Sequence, residues 1–493
     1  MSSITIFSRP NISTIKSNVT LYAVLLGGAG LAVVMGYLVV RGEWITALGL
    51  LFVLPSFILL HKYPWLALLI WLFLVPLFTI TPDPGGRRIY WLAHRALPPV
   101  TLIVMLIASR LQINIRRFPK MGWPELAMVM YLLVSLSSII LLNDSPRSTF
   151  YHFYDRVISP MCLYLIIRLW APNKDDHRRL APVVFFLLVF QIVIGLLAWY
   201  TPQILPSAWV QEELRTTGTV SSYGAYAATM IFSGLFLLQS ALSQRVGLVR
   251  NLYLFSFILA SFGVFMSFSR GAWAAGTLVI LGLLLIDRKR LIRVGLIVVP
   301  LVYGLAAGPL AGQIEWASER LYSERSEESA LIRLPVFQAS LRMLAEKPFF
   351  GWGYENFNRY DWQFYSAVEG VLAPVKNLSS HNFYLTLLAE QGFVGTLLFL
   401  FPFFWWLVRS LKKMPSLPAD GFWGRRSLIL SWLFIFAYMT VNMFHNMRVV
   451  FGLGLWWVGL ALIANAVERP DRSDRSETTS HAYPTIGHIG RSL

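Results

Sequence analysis

Apolar runs of about 20 residues recur along nearly the whole of this 493-residue chain, and each is long enough to cross the hydrocarbon core of a bilayer as a helix. Only 14% of the residues are charged, whereas a soluble domain has about a quarter. The short alternating segments of a transmembrane barrel are absent. The sequence therefore predicts an all-α polytopic integral membrane protein, a helical bundle of about 12–14 transmembrane helices.

The apolar runs also predict how the chain is divided. An N-terminal transmembrane bundle of about 11 spans covers 1–307, a long polar loop covers 308–380, further transmembrane helices cover 381–466, and a disordered tail covers 467–493. The individual spans are predicted near 21–40, 44–61, 64–81, 97–113, 125–142, 156–170, 181–200, 222–243, 250–268, 271–286, 291–307, 381–409, 424–445 and 448–466.

Lys and Arg concentrate in alternate short loops, and such loops face the cytoplasm. The long loop 308–380 is instead rich in Glu and falls on the opposite, outer side. With an even number of spans, both termini are then cytoplasmic. Arg87, Arg88 and Arg95 disagree, because they lie on the predicted outer side. Either they are functional or a span near them is misassigned.

The net charge of +17 does not indicate nucleic acid, because the basic residues lie in the short loops between spans. There they orient the protein and contact anionic membrane lipid. The single Cys162 excludes a disulfide framework and a Cys-based metal site. No other residue spacing indicates a metal, and no phosphate-binding P-loop is present. We therefore expect neither a metal nor a cofactor.

The long loop contains its own structural signals. Apolar positions recur at helical spacing within 315–347, which predicts one or two amphipathic helices on the outer face. Pro348 ends that pattern, and Gly351–Phe357 is typical of a tight turn that carries aromatic residues. The apolar positions are Ile332, Val336, Phe337, Leu341 and Leu344.

Four arginines near the outer face are candidate anion-binding residues. Arg270 lies between two spans with almost no loop, where a guanidinium either forks onto a phosphate or anchors the interface by reaching the headgroups. Arg215 precedes a Thr/Gly/Ser segment that suits an anion or a sugar, or that simply caps the next helix. Arg333 and Arg342 lie on the solvated face of the predicted loop helix.

A histidine and its neighbours stand at the mouth of the next span. His381 is a candidate general base, an interfacial hydrogen-bonding residue or the neighbour of a helix cap. Asn382 fits a cap or an orienting group better than a catalyst, and Tyr384 follows it. His445 and Arg448 lie in the turn between the last two spans, and line the same vestibule if those spans pack beside that of His381.

Aromatic residues of the long loop, among them Trp352 and Tyr354, allow two interpretations. Their apolar faces can stack on sugar rings, or they form an aromatic belt at the bilayer surface.

Together the motifs form an ordered pattern. Arg215-Thr-x-Gly-Thr precedes one span, and Phe268-Ser-Arg-Gly-Ala joins two others. The long loop then carries Arg333 and Pro348-Phe-Phe-Gly-Trp-Gly-x-x-Asn-Phe, and it is followed by Ser380-His-Asn-x-Tyr-Leu and Glu390-x-Gly-x-x-Gly. Over about residues 205–410, this pattern resembles the O-antigen ligase/polymerase family of bacterial envelope proteins.

The resemblance implies a glycosyltransferase of the bacterial inner membrane. Such enzymes take a glycan from undecaprenyl diphosphate at the periplasmic face and join it to an acceptor sugar hydroxyl, with inversion and without a metal. Carried over to this sequence, Arg215 and Arg270 hold the diphosphate, His381 serves the acceptor, and Arg333 adds a positive charge. We expect the remaining substrate contacts from Arg342, Trp352, Tyr354, Asn382, Tyr384, His445 and Arg448.

Several functions remain open at this stage. A ligase uses lipid A-core as acceptor, a polymerase uses a second polyprenol-linked repeat of the growing polysaccharide, and a protein O-oligosaccharide ligase is a third member of the set. A lipid-linked glycan flippase belongs to another class. It would place charges along helix faces at mid-membrane, whereas here they gather at one face.

Overall fold

The computed structural model describes residues 29–42, 53–80, 83–111, 118–210, 215–306, 333–366, 380–419 and 423–468, apart from positions 31, 245 and 447, together with isolated residues between 308 and 319. Within these ranges the chain is helical and contains no strand. Eight of the described helices are long and apolar enough to cross a membrane, and two shorter apolar helices accompany them. The predicted fold class, an all-α polytopic membrane protein, is confirmed.

The helices used below are numbered in chain order. They are α1 Val53–Lys62, α2 Trp65–Phe78, α3 Pro84–Arg110, α4 Trp123–Leu142, α5 Pro146–Phe153, α6 Ser159–Trp170, α7 Lys174–Tyr200, α8 Tyr223–Leu242, α9 Leu248–Met266, α10 Arg270–Ala306, α11 Arg333–Glu346, α12 Phe383–Lys413, α13 Arg425–Phe444 and α14 Val450–Glu468.

Helix α3 begins well before the predicted span at 97–113. Asp83 caps its start by accepting a hydrogen bond from the amide of Gly86 at 2.9 Å. Arg87 and Arg88 therefore lie in the first turns of a helix, and not in a loop. Arg95 lies further along the same helix and forks onto Asp155, with both N···O distances at 2.6 Å. The predicted span therefore starts too late, but Arg87, Arg88 and Arg95 all lie in the first half of α3, so the earlier helix start does not by itself explain the charge pattern.

Helix α10 runs without interruption where the sequence predicted two spans, 271–286 and 291–307. The basic segment between them contains neither glycine nor proline, and Lys, Arg and Leu are all good helix formers. Charge alone therefore does not end the helix. Most of the predicted spans 21–40 and 44–61 and nearly all of the tail 467–493 lie outside the described residues.

The centre of the bundle is formed by α14 and α8, which are buried over most of their length. Their neighbours run antiparallel, so helix ends gather at two faces. One face is formed by α11, the turn Gly351–Phe357 and residues 445–449, and we call it the loop face. The other carries Lys120, Lys174, Lys412 and Arg425, and we call it the basic face.

Helix α12 is broken at Gly392, whose φ of 61° and ψ of −167° are not helical. The long loop occupies the break. The amides of Trp352 and Gly353 donate to the carbonyls of Ala389 and Glu390 at 3.0 and 2.8 Å. A Cβ on Gly392 would lie 2.4 Å from the carbonyl carbon of Phe349, so only glycine allows this approach.

The carboxylate of Glu390 ties three segments together. Its side chain is 1% exposed, and it accepts both guanidinium branches of Arg448, one of them at 3.1 Å. It also accepts the backbone amides of Glu355 and Phe357 at 2.8 and 3.2 Å. A buried charge needs such complete satisfaction. The Glu390–Arg448 pair therefore fixes the loop and the last interhelical turn against α12.

One amphipathic helix of the predicted loop is present as α11. It buries Val336, Ala339, Ser340 and Met343 and packs on α12 through the indole of Trp352. Of the predicted apolar positions, Val336 is buried, whereas Leu341 is 53% exposed. Ile332 lies outside the described residues.

We predict that Arg448→Met destabilises the protein strongly, because it leaves the Glu390 carboxylate buried without its cation. Loss of one partner of a buried pair costs about 3–5 kcal/mol. The double variant Glu390→Gln with Arg448→Met removes both charges and should recover part of that loss. Thermal unfolding and protease cleavage within 347–366 measure the effect. Unchanged values for the single variant would show that the pair does not hold the loop.

Candidate active site at the loop face

Several described helix ends meet at the loop face, among them those at which α8, α10, α12 and α14 begin and those at which α9 and α13 end. The start of α10 and the end of α13 approach each other so closely that a Cβ on Gly271 would lie 2.7 Å from the Cβ of Phe444. Polar side chains at these ends are thereby brought into one cluster.

A chain of contacts joins four of these side chains. The guanidinium of Arg215 lies over the ring of Tyr223, 4.7 Å from its centroid. That ring meets His445 edge to face at 4.8 Å. His445 Nε2 is hydrogen-bonded to the Ser269 hydroxyl at 2.8 Å. Arg215 and the Ser269-Arg270 junction are therefore connected through Tyr223 and His445, although Arg215 precedes α8 and Ser269 precedes α10.

Arg333, at the start of α11, brings the long loop into the same cluster. Burial and the neighbouring guanidinium of Arg270 lower the pKa of Arg333. Its charge in turn acts on both His381 and His445. The cluster of Arg215, Arg270, Arg333, His381 and His445 thus joins five of the predicted site residues, and we call it the Arg/His cluster.

Both imidazoles of the Arg/His cluster favour their neutral form. Burial, followed by the charge of Arg333, lowers the pKa of His381. Burial, with Arg333 and His381, lowers the pKa of His445 to about 3. A neutral imidazole can accept a proton, but a ring with a pKa of about 3 is a weak base near neutral pH. His381 is therefore the candidate base of the pair.

The turn before α12 is built by the residues on both sides of His381. Asn382 accepts the amides of Tyr384 and Leu385 at 3.0 and 3.1 Å, so it is the helix cap that the sequence favoured. Ser380 donates to the carbonyl of Asn382 at 2.8 Å. Held between them, His381 has a left-handed backbone with φ of 48°.

Left-handed backbone conformations recur around this cluster. Ser221, Phe268 and Glu355 have φ values of 63°, 43° and 61°, and each precedes or interrupts an element that reaches the loop face. Such conformations in non-glycine residues cost on the order of 1–3 kcal/mol each and persist where the surroundings hold them. Their concentration here is typical of a functional site.

The threonine-rich segment after Arg215 has a packing role. Thr216, Thr217 and Thr219 are buried, and Thr219 exchanges two hydrogen bonds with the Gln191 side chain, at 2.6 and 3.1 Å. Their hydroxyls are not presented to the loop face. The anion-binding potential of this segment rests on Arg215.

Other predicted substrate contacts belong to the framework of the loop. Trp352 is 9% exposed and donates to the carbonyl of Met343 at 2.9 Å, and Tyr354 is 3% exposed. Arg342 donates to the carbonyl of Phe364 at 2.9 Å. Neither aromatic ring presents an open face for a sugar.

The two remaining predicted contacts join helices. The hydroxyl of Tyr384 donates to the carbonyl of Met439 at 3.1 Å, which ties α12 to α13. Arg448 is engaged by Glu390. Both side chains support the walls of the site.

Two residues of the site were missed by the sequence analysis. Tyr223 lies between Arg215 and His445, and Ser269 holds the imidazole of His445. Ser269 immediately precedes Arg270, and Tyr223 is the first residue of α8. Their closeness in sequence to Arg270 and to the Arg215 motif was the one signal that could have identified them. Their contact with His445, far along the chain, has no sequence signature.

Of the comparisons with known proteins, the one with protein families gives a match. Residues 255–400 match a family model described as O-Antigen ligase, a segment that includes Arg270, Arg333 and His381. No match was found among curated proteins. The family match confirms the resemblance predicted from the motifs: residues 255–400 are similar to the O-antigen ligase family.

Proposed function

We propose that this protein transfers a glycan from undecaprenyl diphosphate to a sugar hydroxyl of lipid A-core, as an O-antigen ligase. The observation that carries the proposal is the chain of contacts from Arg215 through Tyr223 and His445 to Ser269, which precedes Arg270. Arg333 and His381 lie close enough to act on the same groups. The family match supports ligase or polymerase activity in general. The donor, the acceptor and the roles of the residues are inferred from the chemistry of the cluster.

The three guanidiniums suit the diphosphate of the donor. As the bond between the sugar C1 and the phosphate oxygen breaks, the bonding electrons leave with the diphosphate, and its negative charge grows. Guanidinium forks bind phosphate oxygens bidentately, and a preorganised site stabilises charge that develops in the transition state. Arg215 and Arg270 bind the diphosphate, and Arg333 closes over it from the loop.

His381 acts on the acceptor. The acceptor oxygen attacks C1 from the side opposite the leaving diphosphate, so the anomeric configuration inverts. The proton of the acceptor hydroxyl passes to the neutral imidazole of His381. His445, held by Ser269 and Tyr223, lines the donor side beside Arg215.

The sidedness of the protein is part of the proposal. Lys120, Lys174, Lys412 and Arg425 lie on the basic face, and short basic loops face the cytoplasm. The loop face and its Arg/His cluster are then periplasmic, in the bacterial inner membrane, and both termini are cytoplasmic. The isoprenoid tail of the donor remains in the bilayer, while the acceptor arrives from the aqueous side.

We predict that Arg270→Ala lowers glycan transfer by about two to three decades, as expected when one charge-stabilising donor is lost. Arg270→Lys should recover little, because an ammonium cannot form the bidentate fork. The matched control is Arg359→Ala, which removes an exposed loop arginine paired with Asp144.

The assay uses the purified full chain, lipid-linked glycan and two alternative acceptors. Transfer to lipid A-core supports the ligase, whereas elongation of a second polyprenol-linked repeat alone supports a polymerase with the same donor. Near-normal transfer by Arg270→Ala would contradict the diphosphate assignment for either enzyme.

The pH dependence should report the coupling of Arg333 to His381. Protonation of His381 below its lowered pKa removes the base, so kcat/KM falls toward acid pH. Arg333→Gln removes one cause of the lowered pKa, so the acid limb should move to higher pH. Arg342→Gln removes a charge from the same helix and should leave the limb in place. Equal shifts of the acid limb in both variants would show that Arg333 has no specific effect on the pKa of His381.

We predict a loss of about two to four decades in single-turnover rate for His381→Ala, with donor binding retained, if His381 is the general base. His381→Asn tests the backbone separately, because Asn tolerates the left-handed conformation but cannot take the proton. His381→Gln and His381→Asn should therefore be nearly as slow as His381→Ala. Recovery of most of the rate by either amide would assign His381 to orienting the acceptor instead.

A further inference from the structure

A cavity lies at the basic face, away from the Arg/His cluster. Its volume is about 330 Å³, and it is lined by residues 120–125 before and within α4, by Trp405 and Arg409 of α12, and by Glu468 at the end of α14. The proposed glycan transfer uses none of these residues. The cavity thus needs an explanation of its own.

The acidic side chains of this cavity are already committed to protein partners. Arg168, whose side chain is 2% exposed, pairs with Glu125 at 3.3 Å and with Glu468. Glu125 also accepts the hydroxyl of Tyr164 at 2.9 Å and the amide of Gly122 at 2.8 Å. The floor of the cavity is therefore a satisfied ionic network.

The rim of the cavity carries two exposed cations. In the described part of the chain, neither Lys120 nor Arg409 forms an ion pair; Arg409 lies over the ring of Trp405, 5.4 Å from its centroid. Counting Arg168, which pairs with both lining carboxylates, the three described cations Lys120, Arg168 and Arg409 exceed Glu125 and Glu468 by one charge. The cavity suits a ligand with a single negative charge.

Lipid-facing surfaces lead to the cavity from the bilayer. On α4, Leu126, Met130 and Leu133 are 49%, 44% and 54% exposed, and Trp123, 62% exposed, heads this stripe. On α12, Phe404 and Val408, each 50% exposed, adjoin Trp405 and Arg409. An indole at the end of an apolar stripe is typical of the membrane interface.

We propose that this cavity binds the headgroup phosphate of an anionic phospholipid of the surrounding leaflet. Lys120 and Arg409 contact the phosphate, Trp123 and Trp405 flank the glycerol region, and the acyl chains follow the apolar stripes of α4 and α12. A free phosphate ion would use the cations and leave the stripes unexplained. The occupant is therefore a lipid.

The test is native mass spectrometry of the full chain in detergent, with phosphatidylglycerol or phosphatidylcholine added at equal concentration. Wild type should retain phosphatidylglycerol preferentially. The double variant Lys120→Gln with Arg409→Gln should bind it about 30-fold more weakly, because each basic residue near an anionic surface contributes about 1 kcal/mol. Arg409→Lys keeps the charge and should retain most of the preference.

Lys412→Gln is the matched control, because it removes an exposed charge one turn further along α12, outside the cavity. It should bind phosphatidylglycerol like wild type. Equal retention of both lipids by wild type, an unaffected double variant, or an equal loss in the control would each overturn the proposal. Full displacement of the lipid by inorganic phosphate at the same concentration would assign the cavity to a free anion.

Discussion

The buried carboxylate of Glu390 is the interaction on which the loop face depends. An anion removed from water is stable only when donors replace its hydration, and here the donors come from the long loop and from the last interhelical turn. Because Arg448 lies three residues after His445, the same pair sets where that imidazole can lie. The ionic contact thus holds the long loop and the turn that carries His445 against α12.

The long loop contributes packing residues and one charged residue of the Arg/His cluster in different places. Its aromatic residues form a small core with α11 and the first half of α12, and this core carries Arg333 to the Arg/His cluster. The aromatic enrichment that looked suited to sugar stacking is used for packing. Under the proposed function, sugar recognition then falls to polar groups at the helix ends.

Hydropathy was enough to predict the fold class, whereas the residues of the Arg/His cluster were selected by a family resemblance carried on short motifs and by their place near span ends. Both rest on local signals: apolar length for the spans, and short polar motifs at their ends. The start of α3 was missed because Pro84–Tyr90 is polar, although Asp83 and Pro84 form a helix start. The pairing of Glu390 with Arg448 and the burial of Trp352 depend on contacts between distant segments, which no local pattern encodes.

The meeting of helix ends from distant parts of the chain also has a consequence for synthesis. Ribosomes release the chain into the membrane from the N-terminus, so Arg215 and Arg270 arrive long before His445 and Arg448. Until α13 and α14 have inserted, Glu390 lacks its ion-pair partner Arg448, and the long loop is not yet held against α12 by that pair. In the order of synthesis, the Arg/His cluster is therefore completed only when α13 and α14 have joined the helices made before them.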